Sequence, residues 1–424
     1  MNKSPSYYIW TIGCQMNKAE SERLGSALEQ RGYQAVTSTG QADIIVLNSC
    51  VVRQSAENRV INKLHTLKPL KKARPGLILA VTGCLVNADT NQLQKDFPHV
   101  DYFFKPGECP EWLEKAELHQ ALPRHPSPSV YIPIMQGCNN FCSYCVVPYR
   151  RGRERSHSPA EVINEVCRLV KRGVKEVILL GQNVDSYGHD LPGKTGLADL
   201  LIELNDTDGL ARIRFLTNHP RDMSTNLIQA VKNLDKVCEQ ISLPVQAGDN
   251  EILKLMRRDY TVEQYRQLIR KIRETVPGVA LSTDVIVGFP SESEEQFQQT
   301  VNLLSELRFD TIHVATYSPR PGTVAGRELE DGIPTAEKKR RLDIIEQLQE
   351  GIAGEINARL AGQTVEVLVE GRQKGRWYGR TRGDKLVFFD DDGDRKGQLL
   401  TVSIEKTSPW ALQGKIEPGG YQLE

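Results

Sequence analysis

Two sets of cysteines carry most of the chemistry open to this chain of 424 residues. Cys138, Cys142 and Cys145 share one short stretch, GCNNFCSYC from Gly137, with the spacing C-x-x-x-C-x-x-C. Three thiolates on one loop can hold three irons of a [4Fe-4S] cluster and leave the fourth iron without a protein ligand. A small molecule with an amino and a carboxylate group can chelate that open iron. S-adenosylmethionine (SAM) has both, and an electron from the cluster can split its sulfonium to give a 5′-deoxyadenosyl radical. The competing reading is structural zinc. Zinc wants four ligands and prefers paired C-x-x-C knuckles, and the candidate fourth ligand, His157, stands well outside the loop.

Cys14, Cys50 and Cys84 are spread by gaps of 36 and 34 residues, about one βαβ unit each. Each follows an apolar run: Tyr7 to Ile12, Ile44 to Leu47, and Leu77 to Val81. In a parallel sheet the carboxyl ends of the strands lie on one edge, where ligands bind. Three such loops can gather three thiolates, with Gly13 and Gly83 allowing close backbone approach. The plain alternative is three buried cysteines at strand ends. Cys109, Cys167 and Cys238 stand alone and read as small buried apolar residues.

The elements that must position these residues fall into three series. The first hundred residues alternate strands with amphipathic helices carrying Leu24, Ala27 and Leu28, then Val60, Ile61, Leu64 and Leu67. This predicts an α/β domain with a parallel sheet over residues 5–121. A proline-rich linker around Pro123, Pro126 and Pro128 follows. A second alternating series starts at Tyr131 and continues through Glu176–Leu180, Ile213–Leu216, Gln240–Leu243, Leu281–Val287 and Thr311–Ala315. Six βα units are too few for a complete eight-unit barrel, so a partial (β/α)6 barrel is expected over residues 124–355, with a long polar helix, 336–360, leading out. From Gln363 the pattern changes to period two. Short strands at 365–369, 385–389, 399–402 and 410–412 predict a small all-β barrel over residues 358–424. Asp390-Asp391-Asp392-Gly393-Asp394 lacks the ligand spacing of an EF-hand and reads as a solvated turn.

Composition narrows the partners. Lys plus Arg and Asp plus Glu both number 54, so the whole molecule is not an electrostatic nucleic-acid binder and any RNA contact needs a local patch. One patch is Arg372, Lys374, Arg376, Arg380, Arg382 and Lys385, with Trp377 and Tyr378 between them. Cations pair with phosphates and aromatics stack on unpaired bases; the bland alternative packs Trp377 inward. Arg150, Arg151, Arg153 and Arg155 could hold a phosphate or form surface ion pairs. His219-Pro220 follows a strand and reads as a turn or a buried histidine. No run reaches the length of a membrane span or a signal peptide, and nine cysteines suit metal chemistry more than disulfides, so a cytoplasmic location is expected.

These residues resemble the radical SAM methylthiotransferase family, in particular its MiaB-type tRNA-modifying branch, over nearly the whole length. GCQMN from Gly13, NSCVVR from Asn48 and Gly83-Cys84 resemble the N-terminal cluster motifs, and GCNNFCSYCVVPYRRGRER from Gly137 resembles the radical SAM loop. LGQNV from Leu180, LPVQ from Leu243, DVIVGFP from Asp284 and YSPRPGT from Tyr317 match in order. The sequence departs from the family pattern at Glu20, His157, Ala247-Gly248-Asp249 and Ser291. The resemblance implies two [4Fe-4S] clusters, held by Cys14, Cys50 and Cys84 and by Cys138, Cys142 and Cys145. It implies SAM contacts from Gly181, Gln182, Asn183 and Gly288, no catalytic residue beyond the cluster ligands, and a terminal RNA-binding TRAM barrel. It also implies methylthiolation of carbon 2 of N6-(dimethylallyl)adenosine in the tRNA anticodon stem-loop, by a monomer served by a flavodoxin-like or ferredoxin-like reductant and a sulfur donor. Alternatives are threonylcarbamoyladenosine or a ribosomal-protein aspartate as substrate, and a non-enzymatic iron–sulfur RNA-binding protein.

Overall fold

The computed structural model describes residues 4–51, 54–86, 90–108, 110–113, 121–193 and 195–421. Cys109 and the Val52-Arg53 end of the second N-terminal motif lie outside the described residues. The first unit comprises β1 (Ser6–Thr11), α1 (Gln15–Gln30), β2 (Gln34–Ala35), β3 (Ile44–Ser49), α2 (Gln54–Ala73), β4 (Ile78–Gly83), α3 (Thr90–Asp96) and β5 (Tyr102–Phe103). Its five strands pair in the order β2-β1-β3-β4-β5, all parallel. Alternate side chains of a strand point to opposite faces. In β3, Ile45 and Leu47 accordingly pack with Val60, Leu64 and Leu67 of α2, while Ile44 and Val46 pack with Leu24, Ala27 and Leu28 of α1.

The central unit runs through β6 (Ser129–Pro133), β7 (Met135–Gln136), α4 (Val147–Arg151), β8 (Arg155–Ser156), α5 (Pro159–Val170), β9 (Glu176–Leu180), α6 (Leu197–Asn205), β10 (Arg212–Phe215), α7 (Thr225–Asn233), β11 (Gln240–Ser242), α8 (Asn250–Leu255), α9 (Val262–Thr275), β12 (Ala280–Val287), α10 (Glu294–Leu307), β13 (Thr311–Thr316), α11 (Val324–Glu328) and α12 (Thr335–Ala358). Parallel triplets β10-β9-β6 and β11-β12-β13 are joined by a parallel bridge between Ile213 and Val237, which gives a six-stranded partial barrel. Capping boxes fix where its helices start: Ser158 with Glu161, Thr261 with Gln264, and Ser293 with Gln296.

The last unit is a closed barrel of β14 (Thr364–Gln373), β15 (Arg376–Thr381), β16 (Leu386–Phe389), β17 (Leu399–Thr407) and β18 (Leu412–Tyr421). Strand β15 is missing from the sequence reading. Its inward positions are Trp377, Gly379 and Thr381, so only one large apolar residue marks the alternation. Lys374 and Gly375, both at positive φ, form the two-residue turn that pairs it with β14. Trp410, expected on a strand, lies before β18 and is 60% exposed. The Asp390–Asp394 segment closes on itself, with Asp391 accepting from the Gly393 amide at 2.8 Å and from Arg395 at 2.7 Å.

Two buried arginines fasten this barrel to the central one. Arg212 donates to the Arg380 carbonyl (2.8 Å) and pairs with Glu366 (2.7 Å). Arg214 donates to the carbonyls of Thr381 (2.5 Å) and Arg382 (2.6 Å) and pairs with buried Glu176 (2.9 Å). Among the described residues no helix is long and apolar enough to cross a membrane.

Candidate active site between the cysteine loops

Cys14, Cys50 and Cys84 follow β1, β3 and β4, three neighbouring strands, at their carboxyl ends. A Cβ on Gly13, whose φ is +145°, would lie 2.7 Å from the Cys50 Cβ, and one on Gly83 (φ +91°) would run into the Ser49 carbonyl. Both glycines are therefore required for the close approach of these loops. Asn17, buried in α1, accepts from the Cys14 thiol at 3.3 Å and donates to Asn48 Oδ1 (2.8 Å) and the Ser49 carbonyl (3.1 Å), tying the first loop to the second.

The second set sits on the loop between β7 and α4. The Asn140 amide points at Cys138 Sγ (3.5 Å), and the Arg258 guanidinium donates to Cys142 Sγ (3.4 Å). Burial pushes the Cys138 thiol up to about 11 and the Cys145 thiol up to about 12, so a bound cation such as iron is needed to keep either ionised. Among the described residues no group of three or more His, Cys, Asp or Glu side chains is arranged to hold a metal ion. A four-iron cube spreads its thiolates farther apart than a single ion does. N–H donors aimed at sulfur from Asn140 and Arg258, and a Gly137 whose Cβ would lie 2.0 Å from the Arg153 carbonyl, suit such a cube in the second loop.

The two sets meet. Val146, one residue beyond Cys145, packs into the N-terminal core with Val51 and Leu85. Arg151, at the end of α4, donates from Nε to Cys84 Sγ (3.3 Å) and pairs with Glu20 of α1 at 2.6 Å. The four arginines after the loop therefore separate: Arg151 is buried, while Arg153 lies over the Phe141 ring at 4.3 Å.

Around the barrel mouth, a Cβ on Gly181 would lie 2.6 Å from Met135 Cγ, and Gln182 Oε1 accepts from the Gly137 amide at 2.5 Å, so the β9 turn braces the cysteine loop. Asn183 donates to Asp222 (2.7 Å), Asn218 donates to Asp185, and the His219 amide donates to Asp185 (2.9 Å). Buried Asn183 Oδ1, Asn218 Oδ1 and His219 Nε2 have no partner. Buried polar atoms are normally satisfied, so this trio suits a polar ligand. Burial, then the nearby Arg258 charge, pushes His219 down to about 3, and burial lifts Asp185 to about 7. The sequence reading treated His219 as structural and passed over Arg258, Asp185 and Asn218. Their side chains become a group only when β9, β10 and the loop after α8 come together.

Gly288 (φ +68°) packs against the Lys338 stem and donates its amide to Glu292 at 2.6 Å. A cavity of about 470 Å³ is lined by Gln15 beside Cys14, by Ser242, Ser282 and Asp284 of the barrel, and by Arg380 and Trp410 of the terminal unit. The residues of the basic patch differ in exposure and pairing. Trp377 is 7% exposed and donates to the Asp391 carbonyl (3.1 Å), Arg382 pairs with Glu239 (2.7 Å), and Lys385 pairs with Asp310 (2.6 Å). These three hold the terminal unit together or against the barrel, and Trp377 packs inward, the alternative the sequence had left open. Arg372 and Lys374 are exposed and Arg376 and Arg380 are half-buried. Cys238 is buried as expected, and Cys167 is half-buried on α5.

Residues 132–304 match the radical SAM superfamily, residues 6–105 match an uncharacterized protein family (UPF0004), and residues 358–416 match the TRAM domain. The fold is similar to that of the radical S-adenosylmethionine methyltransferase TsrM from Kitasatospora setae, with a TM-score of 0.55 and 15% identity over 76% of this chain and 77% of that one. Fold and cysteine loop together define a radical SAM enzyme with a terminal TRAM barrel, a class that uses a [4Fe-4S] cluster and SAM. A tRNA-2-methylthio-N(6)-dimethylallyladenosine synthase from Dehalococcoides mccartyi (strain CBDB1) is 56% identical, over 97% of this chain and 98% of its own. One from Chloroflexus aurantiacus is 50% identical, over 96% and 91%. The chain belongs to this synthase family of radical SAM methylthiotransferases.

Proposed function

We propose that the protein transfers a methylthio group to carbon 2 of N6-(dimethylallyl)adenosine beside the anticodon of tRNA, using SAM and two [4Fe-4S] clusters. Cys138, Cys142 and Cys145 hold the cluster that takes SAM, and Cys14, Cys50 and Cys84 hold the second. The observation that carries this reading is the junction at Arg151, which leaves the radical SAM loop and reaches Cys84 of the other set. When bound, the clusters and SAM supply radical and sulfur-transfer chemistry at a carbon whose C–H bond is neither acidic nor electrophilic.

The chain's own residues bind and orient. We assign Gly181, Gln182 and Asn183 to the amino-acid end of SAM, with the unpartnered Asn183 Oδ1 in support, and Gly288 to its adenosine side. The cavity lined by Gln15 and Asp284 is assigned to the target base. Exposed Arg372 and Lys374 offer charge to RNA phosphates, while Arg376 and Arg380 reach them only by exchanging their pairs with Asp390 and Asp384, each at 3.1 Å. A flavodoxin-like or ferredoxin-like reductant and a sulfur donor complete the reaction, with the chain acting as a cytoplasmic monomer divided at residues 5–121, 124–355 and 358–424. The relatives' names favour the dimethylallyl over the threonylcarbamoyl substrate.

Mass spectrometry of tRNA nucleosides from a deletion strain tests this. The 2-methylthio form of the dimethylallyl nucleoside should vanish and return with the wild-type gene. Its persistence, with loss of the threonylcarbamoyl counterpart, would overturn the substrate.

A further inference from the structure

Each cysteine set receives one buried guanidinium, but the two differ in charge balance. Arg258 donates to Cys142 Sγ, and its other partners are neutral, the Tyr260 hydroxyl (3.0 Å) and the Pro244 carbonyl (3.1 Å). Arg151 donates to Cys84 Sγ while both its terminal nitrogens bond the Glu20 carboxylate, at 2.6 and 3.4 Å. The Arg151 side chain is 2% exposed and that of Glu20 is 18% exposed. Charges so placed are weakly screened, and they act on any charge change at the sulfur. Adding an electron to a cluster makes it more negative. A neighbouring cation favours that step and a neighbouring anion opposes it, and hydrogen bonds to sulfur and net charge set cluster potentials.

We propose that Arg151 and Glu20 act as an opposed charge pair that sets the reduction potential of the cluster on Cys14, Cys50 and Cys84. Arg151 is a positioning residue: it fixes the Cys84 sulfur and raises the potential, and Glu20 holds the guanidinium in place and moderates that rise. Arg151 stands at the end of α4, only six residues after Cys145, so the same side chain links the two cysteine loops. The inference rests on the two-cluster reading.

The test uses the full chain with Cys138, Cys142 and Cys145 changed to Ala, reconstituted anaerobically, so that one cluster is observed. Iron and sulfide content come first, then a spectroscopic redox titration. Arg151→Gln should lower the reduced-to-oxidised ratio at fixed potential by about tenfold, or about 59 mV for one electron. Glu20→Gln should move it the other way, and Arg151→Lys, which keeps the charge, should stay near the parent. A merely structural role would give no opposed signs. Equal potentials in all variants with iron content retained, or shifts of the same sign in Arg151→Gln and Glu20→Gln, would overturn the charge-pair proposal. A parent that binds no iron would overturn the two-cluster reading itself, and this proposal with it.

Discussion

Replacing Arg214 by Met should loosen the TRAM barrel from the catalytic barrel. Arg214 and Glu176 are each 2% exposed at the side chain and 2.9 Å apart, and the same guanidinium serves the Thr381 and Arg382 carbonyls. Removing one partner of a buried pair costs about 3–5 kcal/mol, because the remaining carboxylate stays buried. Arg212 lies 4.0 Å from Glu176 and the Ser129 hydroxyl donates to it at 2.8 Å, so the lower end, about 3 kcal/mol, applies. Hydrogen exchange of the β14 and β15 amides against denaturant reads the loss at the interface directly. Proteolysis between α12 and β14 should accelerate, the KM for tRNA should rise, and SAM cleavage without RNA should be unchanged. Adding Glu176→Gln should restore part of the loss by removing the stranded charge. A loss no larger than the roughly 0–1 kcal/mol of a surface ion pair would refute the reasoning.

Gly83→Ala should lower bound iron by roughly half, since a Cβ there meets the Ser49 carbonyl and the third thiolate of the N-terminal set is displaced; iron analysis decides it. Trp377→Ala should cost about 3–5 kcal/mol as a large-to-small change in the terminal core, whereas exposed Trp410→Ala should stay within about 0.5 kcal/mol. Thermal denaturation of the two variants side by side checks this. Asp185, lifted by burial to about 7, gives a pH signature. The native state binds the proton more tightly than the unfolded chain, so this stability is present in full below about pH 4 and is lost as pH rises through about 7. Denaturation of wild type and Asp185→Asn from pH 5 to 8 should show a steeper decline in wild type, since Glu22, Glu292 and Glu370, also raised by burial, remain in both.

Period and punctuation made most of the architecture legible. Alternating apolar runs gave the parallel sheet, the six βα units and the β texture of the terminal unit, because strands and helices bury their faces with different periods. The spacing C-x-x-x-C-x-x-C is local, so one loop of thiols was readable outright. Strand β15 was not, because Gly379 and Thr381 fill inward positions that a period-two pattern reserves for large apolar residues.

By itself the sequence determined which residue types were available: two trios of cysteines, the glycines that let their loops come close, and the order of three domains. Tertiary structure decided which charges face whom. A run of four arginines says nothing about which one turns inward to Cys84, and a basic patch does not reveal that Arg382 and Lys385 are held by Glu239 and Asp310 across a domain boundary. Such pairings join residues more than a hundred positions apart, or lie across a packed interface. They are set by how whole elements dock, which no local pattern encodes.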